Sequence, residues 1–410
     1  MRIVVFNLGC KVNQYECDVI CDVLKARGHI VSNELVEADV YIINTCAVTQ
    51  EAEKKSRQSI ARCKKFNPEA KIIVCGCASQ NNGESFIKDG VKYISGTTGK
   101  IDVVNHIKDE DLTVNIREFT TEYEECSLHF PKRTRAYVKI QDGCNNFCSY
   151  CLIPYLRGRS RSRELQNVIE EVKTLSENTD EIVLTGIDLM AYGKDNNTSL
   201  AELIRKLSDI DIRIRLGSVY AEKIDEELLD ALFNLNHFCP QFHLSLQSGD
   251  SDVLKSMNRR YTADDYEKKI ELIRRYDDNA SITTDVIVGF PTESEAAFAN
   301  TYDFLQDIEF SDIHVFPYSR RSGTRAAKMQ TIPPDVMNVR KHKLLELKKE
   351  LSESYHRKNI GKLQRVLIEE QVGDYMVGYS ENYLKVYTKK QGNIVECYPT
   401  QLYKDGLLEE

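Results

Sequence analysis

The sequence predicts an α/β protein in three parts: a parallel sheet, an incomplete six-unit (β/α) TIM-like barrel, and a small antiparallel β-barrel. Three observations predict it. Short β-rich runs alternate with helical patterns through roughly the first 110 residues, the alternation resumes with a longer beat from Arg135, and about fifty residues after Gly361 are short β runs broken by turns. At 410 residues the chain can hold two or three domains with full cores.

The first strands are expected at Arg2 to Asn7, Val40 to Asn44 and Lys71 to Val74, with helices near Asn13 to Arg27 and Thr49 to Phe66. Strands spaced by helices in this way lie parallel, with both faces covered. Each strand is followed at once by a cysteine, in Gly9-Cys10, Asn44-Thr45-Cys46 and Gly76-Cys77. Loops at the carboxyl ends of such strands converge on one crevice, so cysteines 36 and 31 residues apart can meet as a three-thiolate site. Buried cysteine is also an ordinary core residue, and for these three both possibilities stand. Cys75, inside an apolar run, and Cys17 and Cys21, at i,i+4 on a helix, read as core. Residues 111–130 read as an acidic connector (Glu118, Glu122, Glu124, Glu125).

The barrel strands follow at Ala136 to Ile140, Glu181 to Thr185, Arg213 to Gly217, Phe242 to Leu246, Ile282 to Val288 and Ile313 to Phe316. Helical patterns lie between them near Glu164 to Ser176, Leu200 to Leu207, Asp225 to Leu235, Ala263 to Arg275 and Ser294 to Gln306. Just past the first strand comes Cys144-Asn145-Asn146-Phe147-Cys148-Ser149-Tyr150-Cys151, a C-x3-C-x2-C run. Three close thiolates can occupy three corners of a four-iron four-sulfur cube and leave the fourth iron open for chemistry. Structural zinc sites are closed by four ligands, usually as two separated C-x2-C pairs, and no fourth ligand follows here at such spacing. Active sites of TIM-like barrels sit at the carboxyl ends of the strands. Those ends carry Thr185-Gly186-Ile187-Asp188, Gly217-Ser218, Ser245-Leu246-Gln247-Ser248-Gly249, Asp285 with Gly289 to Glu293, and Pro317-Tyr318-Ser319. Ordinary βα-turn chemistry favours the same residue types.

Val339 to Asn359 reads as one amphipathic helix with Leu344, Leu347 and Leu351 on a stripe. Short β runs then follow at Gln364 to Glu369, Tyr375 to Gly378, Leu384 to Thr388 and Ile394 to Tyr398, with turns at Gly373-Asp374 and Gly392-Asn393. The expected domains are 1–115, 130–355 and 358–410.

A formal charge of −8 argues against nucleic-acid binding by the chain as one body. Its distribution argues the other way: between Pro131 and Arg163 eight basic residues (Lys132, Arg133, Arg135, Lys139, Arg157, Arg159, Arg161, Arg163) meet one acid, Asp142. A positive surface around a reactive centre suits a polyanionic substrate, while a solvated charge run is the plain alternative. Residues 356–410 balance eight basic against eight acidic side chains and carry no such signature. The chain opens on a strand pattern with no signal-peptide architecture, and no apolar run approaches the ~18 residues needed to cross a bilayer, so a cytoplasmic protein with reduced thiols and no membrane partner is expected.

A C-x3-C-x2-C run opening a half-barrel resembles the radical S-adenosylmethionine enzymes. Gly9-Cys10-Lys11-Val12-Asn13, Asn44-Thr45-Cys46 and Gly76-Cys77-Ala78-Ser79-Gln80, then the triad, Arg157-Gly158 with Arg161-Ser162-Arg163, and a terminal β-module together resemble the methylthiotransferases over essentially the whole chain. The resemblance implies a flavodoxin-like N-terminal domain, a radical domain and a TRAM domain. Gly-Cys-Lys-Val-Asn followed by Glu16 resembles the branch acting on N6-threonylcarbamoyladenosine at position 37 of tRNA; branches acting on isopentenyladenosine-37 or on a ribosomal protein are the alternatives. Met190 and Thr292 stand where the family commonly has a small residue and a glycine.

The family implies two 4Fe-4S clusters and S-adenosylmethionine as cofactors, with Cys144, Cys148 and Cys151 holding the catalytic cluster and Cys10, Cys46 and Cys77 an auxiliary one. It implies cleavage of S-adenosylmethionine to a radical that takes hydrogen from carbon 2 of adenine, where no acidic proton exists for a base to remove. Carried over for the cofactor pocket are Tyr150, Thr185, Gly186, Ser218, Gln247, Arg259 and Asp285. Arg259 is a candidate partner for the methionyl carboxylate, with a structural salt bridge as the alternative for Arg259 and Asp285. Arg157, Arg161 and Arg163 are the expected RNA contacts. The implied partners are the anticodon loop of tRNA, an electron donor such as flavodoxin or ferredoxin, and a sulfur source.

Overall fold

The computed structural model describes residues 1–131 and 134–410. Its first sheet comprises β1 (Arg2–Asn7), β2 (Ile30–Ser32), β3 (Val40–Thr45), β4 (Lys71–Gly76), β5 (Val91–Ser95) and β6 (Thr113–Asn115). The spatial order is β2-β1-β3-β4-β5-β6, and every pairing is parallel. Helices α1 (Lys11–Ala26), α2 (Gln50–Phe66) and the single-turn α3 (Cys77–Asn81) connect the strands. Alternate residues of the central strands feed opposite cores. Tyr41, Ile43, Ile72 and Val74 pack with Ile60 and Cys63 of α2, whereas Val40, Ile42, Ile73 and Cys75 pack with Cys17, Ile20, Cys21 and Leu24 of α1. Thr49 caps α2 by accepting from Ala52 N at 3.1 Å.

Helix α1 is buried on two faces. Tyr15 and Val19 on the side away from the first sheet join the core of the second domain. Tyr15 Oη donates to Cys126 O at 2.7 Å, and Asp22 accepts from the N–H groups of His129 and Phe130 at 2.8 and 3.0 Å. A helix that is apolar only on one stripe would leave one domain face bare; this one welds two domains together.

The second domain contains β7 (Arg135–Asp142), α4 (Ile153–Leu156), β8 (Arg161–Ser162), α5 (Leu165–Ser176), β9 (Glu181–Gly186), α6 (Leu200–Lys206), β10 (Arg213–Leu216), β11 (Ser218–Val219), α7 (Glu226–Phe233), β12 (Gln241–Leu244), α8 (Ser251–Ser256), α9 (Ala263–Tyr276), β13 (Ser281–Val288), α10 (Glu295–Ile308) and β14 (Asp312–Pro317). The strands form two arcs, β10-β9-β7-β8 and β11-β12-β13-β14, joined by the parallel bridge Ile214–Phe238. Six long parallel strands in this order make the incomplete barrel, and β8 alone runs antiparallel. Thr262 and Asp265 cap α9 reciprocally, so its start is written locally in the sequence.

Helix α11 (Pro334–Lys358) begins earlier than the expected Val339, because Pro334 at its first position supplies the helical φ and needs no amide partner. Leu344, Leu347 and Leu351 enter the barrel core, each contributing on the order of 1.5–3 kcal/mol by burial. The C-terminal sheet holds β15 (Gln364–Val372), β16 (Tyr375–Ser380), β17 (Lys385–Thr388), β18 (Ile394–Cys397), β19 (Gln401–Tyr403) and β20 (Gly406–Leu408) in the order β18-β15-β16-β17-β20-β19. All pairs are antiparallel except β17 with β20. Among the described residues no helix is long and apolar enough to cross a membrane.

Candidate active site

Parallel register sets the N-terminal triad. β1, β3 and β4 are adjacent, with Asn7 opposite Asn44, and Thr45 opposite Gly76, so Cys10, Cys46 and Cys77 leave from three neighbouring strand ends. The thiols are close enough to act on each other: burial, joined by the charges of Cys77 and Cys10, pushes Cys46 up to about 11. Gly76 permits the turn into Cys77 at φ +108°, where a Cβ would lie 2.5 Å from Asn44 Oδ1. Asn13 bridges the loops, accepting from the Cys10 thiol at 3.4 Å and donating to Asn44 Oδ1 at 2.8 Å. Cys17, Cys21 and Cys75 sit apart, in the apolar layer between the sheet and α1.

The second triad occupies the loop after β7. Gly143 turns at φ +72°, its α-carbon so close to Arg159 O that an added Cβ would sit at 1.9 Å. Ser149 N donates to Met257 O at 2.9 Å, and Ser149 O accepts from Ala326 N at 2.8 Å, which pins the loop to both sides of the barrel mouth. Every sulfur receives a donor. Asn146 N and Nδ2 point at Cys144 Sγ (3.5 and 3.4 Å), Arg259 Nη1 at Cys148 Sγ (3.5 Å) and Ile153 N at Cys151 Sγ (3.4 Å). Burial pushes the Cys144 thiol up to about 11 and, with the Cys148 charge, that of Cys151 up to about 12. Such sulfurs need a metal to deprotonate them, and N–H donors stabilise the thiolates once formed. The all-sulfur donor set therefore fits an iron–sulfur cluster. Among the described residues no three His, Cys, Asp or Glu side chains close tightly enough around one point for a single ion; loop convergence brings each triad together.

One cavity of about 410 Å³ joins the two halves: Cys10, Lys11 and Val12 form one wall, and Thr185, Gly186, Ser218 and Asp285 form the other. Asp285 is paired with His243 Nε2 at 3.2 Å. Tyr150, Gln247 and Arg259 lie elsewhere around the mouth. Tyr150 packs edge-on to Phe290 (6.4 Å between centroids), and burial drives its hydroxyl pKa well up. Gln247 adopts φ +76°, and its backbone clamps β13 through Asp285 O and Ile287 N (2.8 and 2.9 Å), a strained position held by its surroundings. Arg259 reaches a cysteine sulfur, Ser245 O (2.5 Å) and Tyr261 Oη (2.9 Å), with its guanidinium 4.6 Å from the Tyr220 ring centroid. It makes no carboxylate pair among the described residues.

Two family models match the chain: the Radical SAM superfamily over residues 138–305 and Uncharacterized protein family UPF0004 over residues 2–96. The threonylcarbamoyladenosine tRNA methylthiotransferases of Thermotoga maritima and Bacillus subtilis are each 38% identical, over 92% and 95% of this chain and 89% and 91% of their own. A tRNA-2-methylthio-N(6)-dimethylallyladenosine synthase of Thermodesulfovibrio yellowstonii is 36% identical over 88% of this chain and 86% of its own. The chain belongs to the radical S-adenosylmethionine methylthiotransferase family. The family's radical chemistry uses a 4Fe-4S cluster and S-adenosylmethionine. Among solved structures, the radical S-adenosylmethionine methyltransferase TsrM of Kitasatospora setae has a TM-score of 0.57 over 79% of this chain and 76% of its own, at 15% identity, which is a likeness of fold.

Within this methylthiotransferase the basic segment does something other than what its sequence suggests. Arg157, Arg161 and Arg163 are buried, which corrects their expected role as RNA contacts. Arg157 bonds Glu16 Oε1 and Asp142 Oδ1 (3.1 and 3.0 Å), and its Nη2 reaches Asn13 Oδ1 at 3.0 Å. Arg161 pairs with Asp142, and Arg163 with Glu125 and Glu171. A guanidinium that neutralises an internal carboxylate cannot release counterions from a phosphate without exposing that carboxylate. Lys139 and Lys100 also reach Glu16. Burial raises the Glu16 and Asp142 carboxyls, but the surrounding cations win and hold both well below the usual range. Lys132 and Arg133 lie outside the described residues. Arg159 is the member of the segment left facing solvent, stacked 4.6 Å from the Phe147 ring centroid beside half-exposed Tyr155. The side chains that sequence reasoning passed over are Lys11, His243 and His314, which line the cavity, and Asn13, Glu16 and Glu181. Lys11, Asn13 and Glu16 were visible only as parts of a motif.

Proposed function

We propose that this protein attaches a methylthio group to carbon 2 of N6-threonylcarbamoyladenosine at position 37 of tRNA. One observation carries the proposal: Cys10 and the strand ends Thr185, Gly186, Ser218 and Asp285 face each other across a single cavity of about 410 Å³. A base seated there touches the N-terminal triad on one side and the radical domain on the other. Cys144, Cys148 and Cys151 would hold the radical cluster, and Cys10, Cys46 and Cys77 a second 4Fe-4S cluster. When bound, the clusters and S-adenosylmethionine supply one-electron and sulfur chemistry that no side chain can perform at a carbon without an acidic proton.

The chain's own residues do the holding. Asn146 joins the Cys144 sulfur to Asp188 (3.0 Å), and Asp188 is in turn fixed by Lys223 (2.9 Å). Arg259 puts a positive charge beside Cys148. Tyr150, Thr185, Gly186, Ser218, Gln247 and Asp285 form the polar rim for S-adenosylmethionine and the base. Phe147, Tyr155 and Arg159 offer stacking faces and a cation to the RNA around the target nucleotide. An anticodon loop is the RNA element that presents position 37 to such a cavity, and a flavodoxin- or ferredoxin-type donor and a sulfur source complete the partners.

Dimethylallyladenosine-37 is the alternative reading of the substrate, favoured by the relative that is 36% identical. Mass spectrometry of tRNA nucleosides from a strain lacking the gene, with and without complementation, separates the two. The first proposal expects loss and restoration of the 2-methylthio form of N6-threonylcarbamoyladenosine; its persistence in the deletion strain overturns it.

A further inference from the structure

Beyond the reaction cavity lies another. A space of about 420 Å³ runs down the barrel lumen, walled by residues such as Arg135, Arg215, His243 and His314 and floored by Tyr379 and Tyr383 of the C-terminal sheet. Lys11, His243 and His314 line both spaces, so these three side chains form their shared boundary. The volume is in the range of small-ligand pockets.

The lumen carries excess positive charge. Arg135, Arg213 and Arg215 all converge on one carboxylate, Glu181, at 2.8, 3.2 and 2.8 Å. A second acid, Glu369, meets Arg135 at 2.7 Å. Three guanidinium groups thus face two carboxylates. Two other acids on the wall have their own cations, Asp312 with Lys348 and Asp405 with Lys385; Asp285, on the wall of the neighbouring cavity, meets the His243 ring at 3.2 Å. Lys11, on the exposed edge of the boundary, makes no hydrogen bond or ion pair among the described residues and has Asp285 as the acid near enough to act on its charge, whereas Arg135 Nη2 is buried without a hydrogen-bond acceptor. An unpartnered ammonium and an orphaned guanidinium N–H beside an internal space are groups that an anion would satisfy.

In adenine, carbon 2 and the N6 group flank N1 on the edge away from the ribose. A base entering edge-first with carbon 2 beside Cys10 therefore sends its N6 substituent past Lys11. We propose that the lumen is the specificity pocket for that substituent, and that Lys11, backed by the Arg135–Arg213–Arg215 cluster, selects one ending in a carboxylate over a neutral one. This rests on the function proposed above and adds to it the residues that read the substrate. A neutral apolar chain would fill the space and leave the cations unsatisfied.

The test uses anaerobically reconstituted holoenzyme and three anticodon stem-loops, carrying at position 37 N6-threonylcarbamoyladenosine, its methyl ester, or isopentenyladenosine. Binding is read by fluorescence anisotropy and turnover by nucleoside mass spectrometry. The wild type is expected to bind the acid about 10- to 100-fold more tightly than the ester, the scale of a hydrogen bond to a charged group. Lys11→Met should remove most of that ratio, leave the ester's affinity unchanged, and keep iron, sulfide and S-adenosylmethionine binding; Lys11→Arg should restore it. Equal binding of acid and ester by the wild type overturns the pocket with no variant needed, as does an undiminished ratio in Lys11→Met. Loss of S-adenosylmethionine binding in that variant overturns it too, assigning Lys11 to the cofactor. The binding ratio decides the pocket whether or not turnover is seen, whereas no turnover on any of the three RNAs overturns the proposed function instead.

Discussion

Arg157→Met is the most informative single change outside the cysteines. The arginine side chain is 1% exposed and donates to Glu16 Oε1, Asp142 Oδ1 and Oδ2, Asn13 Oδ1 and Glu16 Oε2 at 3.1, 3.0, 3.2, 3.0 and 3.3 Å. Methionine keeps the apolar stem but not the guanidinium, and so removes all five bonds. Breaking a buried pair from one side costs about 3–5 kcal/mol, because the partner stays buried without its counter-charge. Lys100 and Lys139 remain beside Glu16, and Lys139 and Arg161 beside Asp142, so the lower end applies, about 3 kcal/mol. At roughly 2–4 °C per kcal/mol, the unfolding transition should fall by about 6–12 °C. Arg157→Lys, a point charge without the fork, should recover only part of it. Differential scanning calorimetry of the cluster-loaded proteins reads the shift, and iron and sulfide content read the consequence at the site, since Asn13 connects this arginine to the Cys10 thiol. An Arg157→Met variant that melts within about a degree of the wild type would falsify the claim that the network bears on the junction, for which the expected shift is several-fold larger.

The other predictions concern the site and its supports. Replacing Cys10, Cys46 and Cys77 together by alanine should remove one cluster's worth of iron and sulfide and leave the other, and the Cys144, Cys148 and Cys151 replacement should do the converse; loss of neither from the first set refutes the auxiliary site. Gly76→Ala forces a Cβ to 2.5 Å from Asn44 Oδ1 at φ +108°, and should cost on the order of 1–3 kcal/mol and lower iron retention in the N-terminal triad. Glu181 tests electrostatics: burial raises its carboxyl, but Arg215, Arg135 and Arg213 outweigh burial and bring it down to about 2 from 4.5. A depressed carboxylate stabilises fully above its unfolded value and loses that contribution only as pH falls toward the folded one. The stability gap between wild type and Glu181→Gln should therefore be flat from about pH 7 to about pH 5, above the unfolded value; a gap that narrows in that interval contradicts the assignment. Arg159→Ala should weaken anticodon stem-loop binding and reduce the salt slope by about one, whereas an unchanged slope removes Arg159 from the RNA face.

Much of the fold was legible because parallel strands buried on both faces write themselves as apolar runs. Val40–Thr45 is buried at every position and Lys71–Gly76 at all but the first. What escaped was short or exposed. Ile30–Ser32 and Thr113–Asn115 are three-residue edge strands with hardly a buried side chain, and the second lies inside the stretch that reads as a connector. Val91–Ser95 was passed over although Asp89-Gly90 and Gly96 frame it, and Gln401–Tyr403 and Gly406–Leu408, joined at Asp405-Gly406, are too short at three residues each to show an alternation. Sequence spacing could place three cysteines at neighbouring strand ends, because a strand end followed by cysteine is a local pattern. It could not say that α1 faces two domains, since an amphipathic count sees one stripe and the second face holds Tyr15, Glu16 and Asn13, polar groups whose partners include Cys126 and Arg157, more than a hundred positions away.

The arginines show why a charge run misleads. Arg157, Arg161 and Arg163 stand in sequence beside the radical loop, a position that suggests a basic surface, yet their acids come from elsewhere: Glu16 from α1, Glu125 from the connector, Glu171 from α5 and Asp142 from the end of β7. The same bonds do a mechanical task. Asp142 lies two residues before Cys144, Glu16 six residues after Cys10, and the buried Arg157 joins them. Because each carboxylate is held by more than one cation, neither loop can slide without stripping a buried charge, a move costing several kcal/mol. An enzyme that must act on one base from two thiol triads needs their separation fixed more tightly than loops alone allow. A buried ion-pair lattice between the loops supplies that rigidity, and of the described basic segment beside the radical loop it leaves Arg159 facing solvent.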